Sequence, residues 1–198
     1  MIRIDLHMHT TFSGDSRIRP KFLVDQLYTH PFVKGVAVTD HDTLDGYVQA
    51  RRFAMAYEDI LIIPGIEVST RQGHVTVLGI QEKPAYLLPI EALIDFARER
   101  DGVIVIPHPY RRFDGIGNIA ENIQADAIEI INPHTTTEEN KMAETLAKAR
   151  NLPSVAGSDA HEPREMWLAY TEVEAELNVD DVLSAIKKGK VKATSSKL

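Results

Sequence analysis

The chain has 198 residues and no cysteine, which excludes disulfides and thiolate metal sites, and its length predicts a single domain over residues 1–198. A formal charge of −7 argues against a protein that coats nucleic acid, and 43% hydrophobic residues are ordinary for a globular protein. No apolar run reaches the length of a membrane helix, and a strand predicted from residue 2 leaves no room for a signal peptide. We therefore expect a cytoplasmic protein with no membrane partner.

The first predicted strand carries two histidines. Residues 2–9 alternate between apolar and polar side chains, which predicts a strand with one apolar face. His7 and His9 lie two residues apart on the polar face, so their rings project the same way and could bind one metal ion or two neighbouring ions. A half-exposed strand explains such a pair about as well, so the choice depends on the rest of the chain.

Further short apolar runs follow, each with a polar residue at or near one end. These are 35–38 before His41, 60–63 before Glu67, 75–79 with His74 at its start, 103–106 before His108, 127–131 before Asn132, and 154–156 before Asp159 and His161. Helices are predicted between the runs, at 20–29, 44–58, 89–100, 137–150 and 178–188, the fourth with a capping box of Thr135 and Glu138 and the last capped by Asn178. Alternating strands and helices predict an α/β protein with a mainly parallel sheet.

The positions of the polar residues favour a closed barrel over an open sheet. In an open sheet only residues near the switch point meet, whereas in a barrel the carboxyl ends of all parallel strands face one mouth. Candidates follow at least five runs here, so they converge only in a barrel. Fewer than 200 residues is short for eight βα units, which predicts a smaller, irregular barrel.

Together the polar residues predict a metal cluster. Singly, each has an ordinary explanation; Asp40 and Asp42, for example, could cap a helix. Jointly, ligand-type residues at nearly every strand end are unlikely to be chance. The candidate ligands are His7, His9, Asp15, His41, Glu67, His74, His108, Asp159 and His161. Mixed nitrogen and carboxylate ligands suit manganese, iron or zinc better than magnesium or calcium.

At these residues the sequence resembles the polymerase and histidinol phosphatase (PHP) family of metal-dependent phosphoesterases. The matching motifs are His7-Met8-His9 with Ser13-Gly14-Asp15, Thr39-Asp40-His41-Asp42, Gly65-Ile66-Glu67, Gly73-His74, Pro107-His108-Pro109 and Ser158-Asp159-Ala160-His161. They follow the family order and span residues 5–161. The resemblance implies a compact stand-alone PHP domain, folded as a distorted (β/α)7 barrel, with two or three divalent metal ions at the carboxyl-terminal mouth of the strands.

The resemblance also implies roles for these residues. His7, His9, Glu67 and Asp159 would hold one ion, Glu67 would bridge to a second ion with His74 and His108, and Asp15, His41 and His161 would hold a third. All except His74 would also take part in catalysis, in which a hydroxide bridging two ions attacks phosphorus. Asp15 departs from relatives that carry histidine there, which leaves the filling of the third position open.

Residues near the cluster give further expectations. Arg111 and Arg112 follow His108 closely enough to grip a phosphate with two N–H donors, although a solvated loop explains them about as well. Arg111 is favoured because relatives carry arginine there, and Asn132 is a weaker substrate-binding candidate. Asp40 either orients His41 or faces the core, and His134 is expected at the rim. Trp167 is interpreted as a core residue in preference to a base-stacking one.

The resemblance implies a hydrolase acting on phosphoric esters. We expect a phosphatase of small molecules or nucleotides, since the acidic chain lacks a basic stripe. The alternatives are an oligonucleotide exonuclease or phosphodiesterase and, with less support, a non-enzymatic ribonuclease P-like scaffold. The expected partner is a small phosphorylated substrate, with nucleotides and short oligonucleotides among the candidates; no obligate protein partner is evident.

Overall fold

The computed structural model of the protein describes residues 1–196 and contains an α/β barrel. Within these residues the nine strands are β1 (Ile2–Met8), β2 (Val33–Val38), β3 (Leu61–Thr70), β4 (Gly73–Leu78), β5 (Val103–Ile106), β6 (Ala127–Ile131), β7 (Ser154–Ala156), β8 (Ala169–Val173) and β9 (Val191–Ser195). The helices are α1 (Pro20–Thr29), α2 (Asp45–Ala54), α3 (Ile90–Arg98), α4 (Thr137–Arg150) and α5 (Val179–Lys187), with short 3-10 helices at Gly117–Glu121 and Pro163–Glu165. In this part of the chain, no helix is both long and apolar enough to cross a membrane.

The sheet runs in the order β7-β6-β5-β4-β3-β2-β1-β8-β9 and is nearly closed. At the mouth, the residues after β7 pair with β1, since Asp159 N donates to His7 O (2.7 Å) and His9 N donates to Ala160 O (3.2 Å). Farther along, the Thr171 hydroxyl of β8 bonds both backbone groups of Ala156 in β7, each at 2.9 Å. The predicted distorted barrel is therefore confirmed.

The expectation of a mainly parallel sheet was wrong, since four strand pairings are parallel and four are antiparallel. One cause is the two-residue link between β3 and β4, which is too short for anything but a hairpin. The reversal of β4 has a consequence for the site, because it brings His74 to the mouth from the start of a strand. The other cause is the pair β8 and β9, which the sequence analysis did not predict.

One apolar cluster fills the barrel. It takes buried residues from β1 to β8 and from α5, among them Ile4, Ile63, Val105 and Val155. At Gly79, just past β4, a Cβ atom would lie 2.5 Å from Leu183 of α5. Because β4 is antiparallel, Gly79 lies at the end opposite His74, so α5 closes the floor of the barrel, away from the histidines.

The predicted helices are present with small changes of boundary. Helices α1 and α4 have the predicted bounds, whereas α2 ends at Ala54 and not at residue 58, since the chain must turn there to enter β3. The capping box of α4 is formed by Thr136 and Glu139, one residue after the predicted pair. Asn178 caps α5 as predicted, accepting a hydrogen bond from Asp181 N.

Candidate metal centre

The barrel brings all nine predicted ligands together around Glu67, which is fully buried near the middle of β3. Five histidine nitrogens lie within 3.3 Å of its carboxylate oxygens. The nitrogens near Oε2 are His7 Nε2 (3.3 Å), His9 Nε2 (3.2 Å) and His41 Nδ1 (3.3 Å), and those near Oε1 are His74 Nδ1 (3.0 Å) and His108 Nε2 (2.9 Å). Glu67 is thus the centre of the cluster.

The innermost group consists of His7, His9, Glu67 and Asp159, all buried. The two histidine Nε2 atoms are 3.2 Å apart, and each lies 3.1–3.4 Å from Glu67 Oε2 and Asp159 Oδ1. In a tetrahedral site with bonds of about 2.1 Å, neighbouring ligand atoms lie about 3.4 Å apart. The spacing of these four atoms therefore fits one divalent ion.

Two further groups adjoin the first and lie closer to solvent. His41, Glu67 and His74 form one, and His9, Asp15, His41 and His161 form the other. His41 lies between them, with Nδ1 facing Glu67 and Nε2 3.5 Å from Asp15 Oδ2. The side chain of Asp15 is 53% exposed, in contrast to the buried inner group. The third group is therefore the open side of the cluster.

Hydrogen bonds at the far nitrogens set the orientation of three of these histidines. His7 Nδ1 donates to Glu129 Oε1 (3.0 Å), and His161 Nδ1 donates to the backbone oxygen of Asp159 (2.8 Å). His9 Nδ1 lies 2.9 Å from Ser13 Oγ, whose proton goes to Asp40 Oδ1 (2.8 Å), so His9 is the donor to Ser13. In all three rings Nε2 is left to face the cluster, as metal ligation requires.

Asp40 orients the ring of His9 through Ser13, whose Oγ also accepts from the backbone N of His41 (3.1 Å), so its link to His41 runs to the backbone and not to the ring. Its carboxylate also accepts from the backbone N (2.6 Å) and the hydroxyl (2.7 Å) of Thr10, and it is fully buried. A Cβ atom at Gly46 would lie 1.8 Å from Asp40 Oδ2, so only glycine fits beside it. Asp40 thus fixes the loop that carries Asp15.

Arg111 lies inside the cluster. Its guanidinium donates to both oxygens of Asp114 (2.6 and 2.9 Å) and to Asp159 Oδ2 (2.6 Å), and its Nη2 also lies 3.0 Å from His108 Nε2. Three of its five N–H donors are thus engaged by carboxylates, and a fourth points towards His108. The predicted two-pronged grip on a phosphate would require some of these bonds to break.

Asn132 is fully buried, which argues against direct contact with a substrate. Its Nδ2 donates to Glu129 Oε2 (2.9 Å) and Asp159 Oδ2 (3.0 Å), and its Oδ1 accepts from His134 N (2.8 Å). His134 lies at the rim as expected, partly exposed, with its ring 5.9 Å from that of His161. Trp167 is a core residue as predicted, 8% exposed.

Sequence reasoning missed two acidic residues of the site, Glu129 and Asp114. Glu129 lies inside an apolar strand, and a carboxylate in the run 127–131 was a usable signal, since such a residue is rarely buried without a partner. Asp114 lies in a loop three residues after Arg111, where the sequence carries no comparable signal.

The close packing of charges shifts several pKa values. Burial raises the pKa of Glu67 and of Asp159, but the charge of His7 and the histidine hydrogen bonds outweigh burial and hold both pKa values well below their usual range. Burial lowers the pKa of His9, yet Asp159 and Glu67 raise it to about 9. For His41, burial is the main reason that the pKa falls. The inner group therefore favours positive charge between its carboxylates, which a proton or a metal ion can supply.

Two of the nine candidate ligands have unusual backbone angles. His108 has a φ of 25° and Asp159 a φ of 51°, values that side chains with a Cβ rarely adopt. Such conformations cost about 1–3 kcal/mol each and are typical of functional sites. Asp159 is held there by the bond from its backbone N to His7 O, which also closes the barrel.

The sequence matches two family profiles and two archaeal proteins. Residues 5–99 match the PHP domain, and residues 137–191 match a profile described as PHP-associated. The uncharacterized protein MJ0417 of Methanocaldococcus jannaschii is 30% identical over 189 residues, which cover 90% of this chain and 73% of that protein. The uncharacterized protein MJ1587 of the same organism is 26% identical over 144 residues, or 67% of this chain and 83% of its own.

Solved structures share the fold at low identity. An amidohydrolase from Chromobacterium violaceum, solved with sulfate and no metal, superposes with a TM-score of 0.70 at 17% identity and covers 96% of this chain and 97% of its own. PsfC from Pseudomonas syringae superposes with a TM-score of 0.69 at 17% identity and covers 100% of this chain and 93% of its own. A Bifidobacterium adolescentis protein, provisionally described as a metal-dependent phosphoesterase, superposes with a TM-score of 0.60 at 18% identity. It covers 80% of this chain and 87% of its own.

Proposed function

The chain belongs to the PHP family and is a metal-dependent hydrolase, and from this premise we propose that it hydrolyses phosphate monoesters of small molecules or nucleotides. The observation that carries the proposal is a set of three adjoining groups in which each pair of groups shares one residue, namely His9, Glu67 or His41. Such a set suits two or three neighbouring divalent ions, and a phosphate is the substrate that so much local positive charge would attract.

In this proposal each of the nine residues has the role expected of a ligand. His7, His9, Glu67 and Asp159 would hold the inner ion, Glu67 would also hold a second ion with His74 and His108, and Asp15, His41 and His161 would hold the outer ion. Ions bound there supply a water of lowered pKa and neutralise charge on the phosphate. Mixed nitrogen and carboxylate ligands favour manganese, iron or zinc.

The remaining residues of the site would orient the ligands and the substrate. The open side is lined by Asp15, His161 and His134, so the substrate would enter there. Arg111, held by Asp114, would offer the phosphate its fifth N–H and its positive charge. Asn132 would keep Asp159 in place and would not touch the substrate.

A second candidate function, hydrolysis of short oligonucleotides, is favoured by one observation. Phe113 is 89% exposed, two residues from Arg111, and the Arg112 guanidinium lies 5.2 Å from its ring. An exposed aromatic ring beside cationic side chains is a platform on which a nucleic-acid base can stack.

The test is product release by the purified protein loaded with manganese. The substrates are 5′-AMP, adenosine 3′,5′-bisphosphate, histidinol phosphate, bis-p-nitrophenyl phosphate and a short 5′-phosphorylated RNA. We expect phosphate from the monoesters; shortening of the RNA would establish the second candidate instead. No turnover of any substrate, with metal bound, would contradict both.

Two histidine variants serve as matched controls in the same assay. His41→Ala removes a residue shared by two groups and is expected to abolish release with the fold retained. His30→Gln changes a histidine outside the cluster, whose ring accepts from Val33 N, and is expected to keep wild-type rates. Equal rates for both variants would remove His41 from the site.

A further inference from the structure

We propose that Glu129 is a positioning residue that holds three ligands, His7, His108 and Asp159, in the arrangement that binds the metal. The inference rests on the metal-binding part of the proposed function and is independent of its substrate. Glu129 lies in β6, is 3% exposed, and belongs to none of the three ligand groups.

The contacts of Glu129 reach three different strands of the barrel. Oε1 accepts from His7 Nδ1 (3.0 Å), at β1. Oε2 accepts from the backbone N of His108 (3.0 Å), after β5, and from Asn132 Nδ2 (2.9 Å). The same Asn132 Nδ2 donates to Asp159 Oδ2 (3.0 Å), after β7. One buried carboxylate therefore links ligands that are far apart in the sequence.

These contacts need an acceptor on both oxygens. The amide of Asn132 cannot turn over without loss, because its Oδ1 already accepts from His134 N (2.8 Å). Its Nδ2 must therefore face Glu129, as the backbone N of His108 does. On the other side, His7 must keep its proton on Nδ1 if Nε2 is to offer a lone pair to the cluster.

Glutamine at this position cannot satisfy both sides, although it has the same shape. With its oxygen towards His7, its amide N–H groups point at the donors of His108 and Asn132. With its nitrogen towards His7, that ring must move its proton to Nε2, which then points into the inner group. Either arrangement weakens metal binding, so the structure requires the charged carboxylate.

The experiment compares Mn²⁺ binding by Glu129→Gln and by the wild type, using calorimetry and metal analysis. We expect the tightest site to lose about 10–100-fold in affinity, the usual effect of removing a partner of a metal-bound histidine. The rise in unfolding temperature on adding Mn²⁺ should shrink in parallel. Neither readout depends on which substrate the protein hydrolyses.

Two further variants keep the test decisive. Thr171→Val removes a buried hydroxyl that bonds the barrel backbone at Ala156 and is expected to lower stability equally with and without Mn²⁺, with affinity unchanged. Asn132→Ala keeps the bond between His7 and Glu129 but frees Asp159 Oδ2 of one donor, so it should lose affinity to a smaller extent. The Asn132→Ala variant tests the positioning role if Glu129→Gln does not fold.

The outcomes separate this inference from the proposed function. Wild-type Mn²⁺ affinity in Glu129→Gln, or in Asn132→Ala where only that variant folds, would overturn the positioning role and leave the hydrolase intact. An equal loss of affinity in Thr171→Val would also overturn it, since the effect would then be general loosening of the barrel. A wild-type protein that binds no divalent ion would contradict both.

Discussion

At the scale of single residues, the centre depends on buried carboxylates that are not themselves ligands. Asp40 and Glu129 each fix the far nitrogen of a histidine, one through Ser13 and one directly. Both carboxylates are buried, where an unpaired charge is costly, so each needs several donors. The rigidity of the ligands follows from these bonds.

Replacing Asp40 with asparagine tests whether the hydrogen bonds of its carboxylate stabilise the loop that carries Asp15. The Asp40→Asn variant keeps the shape but replaces one acceptor oxygen with a donor facing Thr10 or Ser13, which is expected to destabilise the fold by about 2 kcal/mol. Chemical denaturation measures the change. The control is Asp25→Asn, where an exposed ion pair with Lys21 is lost and no measurable change in stability is expected. Equal effects would mean that Asp40 is not specially constrained.

Arg111 supplies positive charge to the cluster, so its removal should matter most without metal. Arg111→Met leaves Asp159 without its guanidinium partner, and we expect a loss of about 2 kcal/mol that shrinks when Mn²⁺ is added. Denaturation with and without the ion measures this. Arg98→Met breaks an ion pair with Asp126 that is remote from the cluster, so its loss of stability should be the same with and without Mn²⁺. A loss at Arg111 that ignores Mn²⁺ would contradict the idea.

The sequence identified residues that the barrel would bring together but not how they are held. The nine candidate ligands could be predicted because each stands next to an apolar run and belongs to an ordered set of motifs. Glu129 was missed because its role depends on a contact with His7, 122 positions away. Asp114 was missed because nothing in its loop marks the contact with Arg111, three positions before it. Spacing alone does not reveal such contacts.

At the scale of elements, α4 shows how local signals fix a boundary. Thr136 Oγ1 accepts from Glu139 N (3.1 Å) and Thr136 N donates to Glu139 Oε2 (2.8 Å), although the sequence offered Thr135 and Glu138 as an equally good pair. Thr135 is instead used by the preceding turn, where its hydroxyl donates to Asn132 O (2.9 Å). The preceding turn therefore decided between two adjacent caps.

This assignment predicts unequal effects for two threonines of the same helix. Thr136→Ala removes the cap and is expected to cost about 1 kcal/mol in the free energy of unfolding. Thr145→Ala, at an exposed interior position where the hydroxyl bonds Lys141 O, should be neutral or slightly stabilising because alanine favours helix. Thermal or chemical denaturation distinguishes them. A larger loss at Thr145 would show that the cap contributes little.

The strands were harder to predict than the helices. The runs of β1 to β7 are apolar enough to be found, but the direction of β4 depends on a short turn, and β9 has only weak alternation. Strand β8 pairs with β1 although the two strands are separated by most of the sequence, and Ile4 lies opposite Thr171. Pairings of such long range leave little trace in local sequence.

At the scale of the whole molecule, metal and fold should stabilise each other. An ion that binds only the folded chain adds about 2.7 kcal/mol at a concentration 100 times its dissociation constant. Because the inner group is buried and the group with Asp15 is partly exposed, we expect chelators to remove the outer ion first.

Asp15→Ala separates the two positions. We expect one fewer ion per chain by metal analysis, while most of the stabilisation by Mn²⁺ is retained. The matched control is Asp59→Ala, a similarly exposed aspartate that forms an ion pair with Lys34 away from the cluster, which should leave the metal content unchanged. Loss of every ion in Asp15→Ala would instead mean that the groups bind cooperatively.

The closure of the barrel has a consequence for how the protein is made. The first ligand is residue 7, but its partner Asp159 and the strand β8 beside β1 come from the last quarter of the chain. At about 5–20 residues per second, a ribosome needs several seconds or more to pass from one to the other. During that interval β1 has an unpaired edge and its histidines lack a complete site, so the nascent chain is exposed to mispairing until the C-terminal strands emerge. Chaperone binding to stalled nascent chains of different length would reveal when this exposure ends.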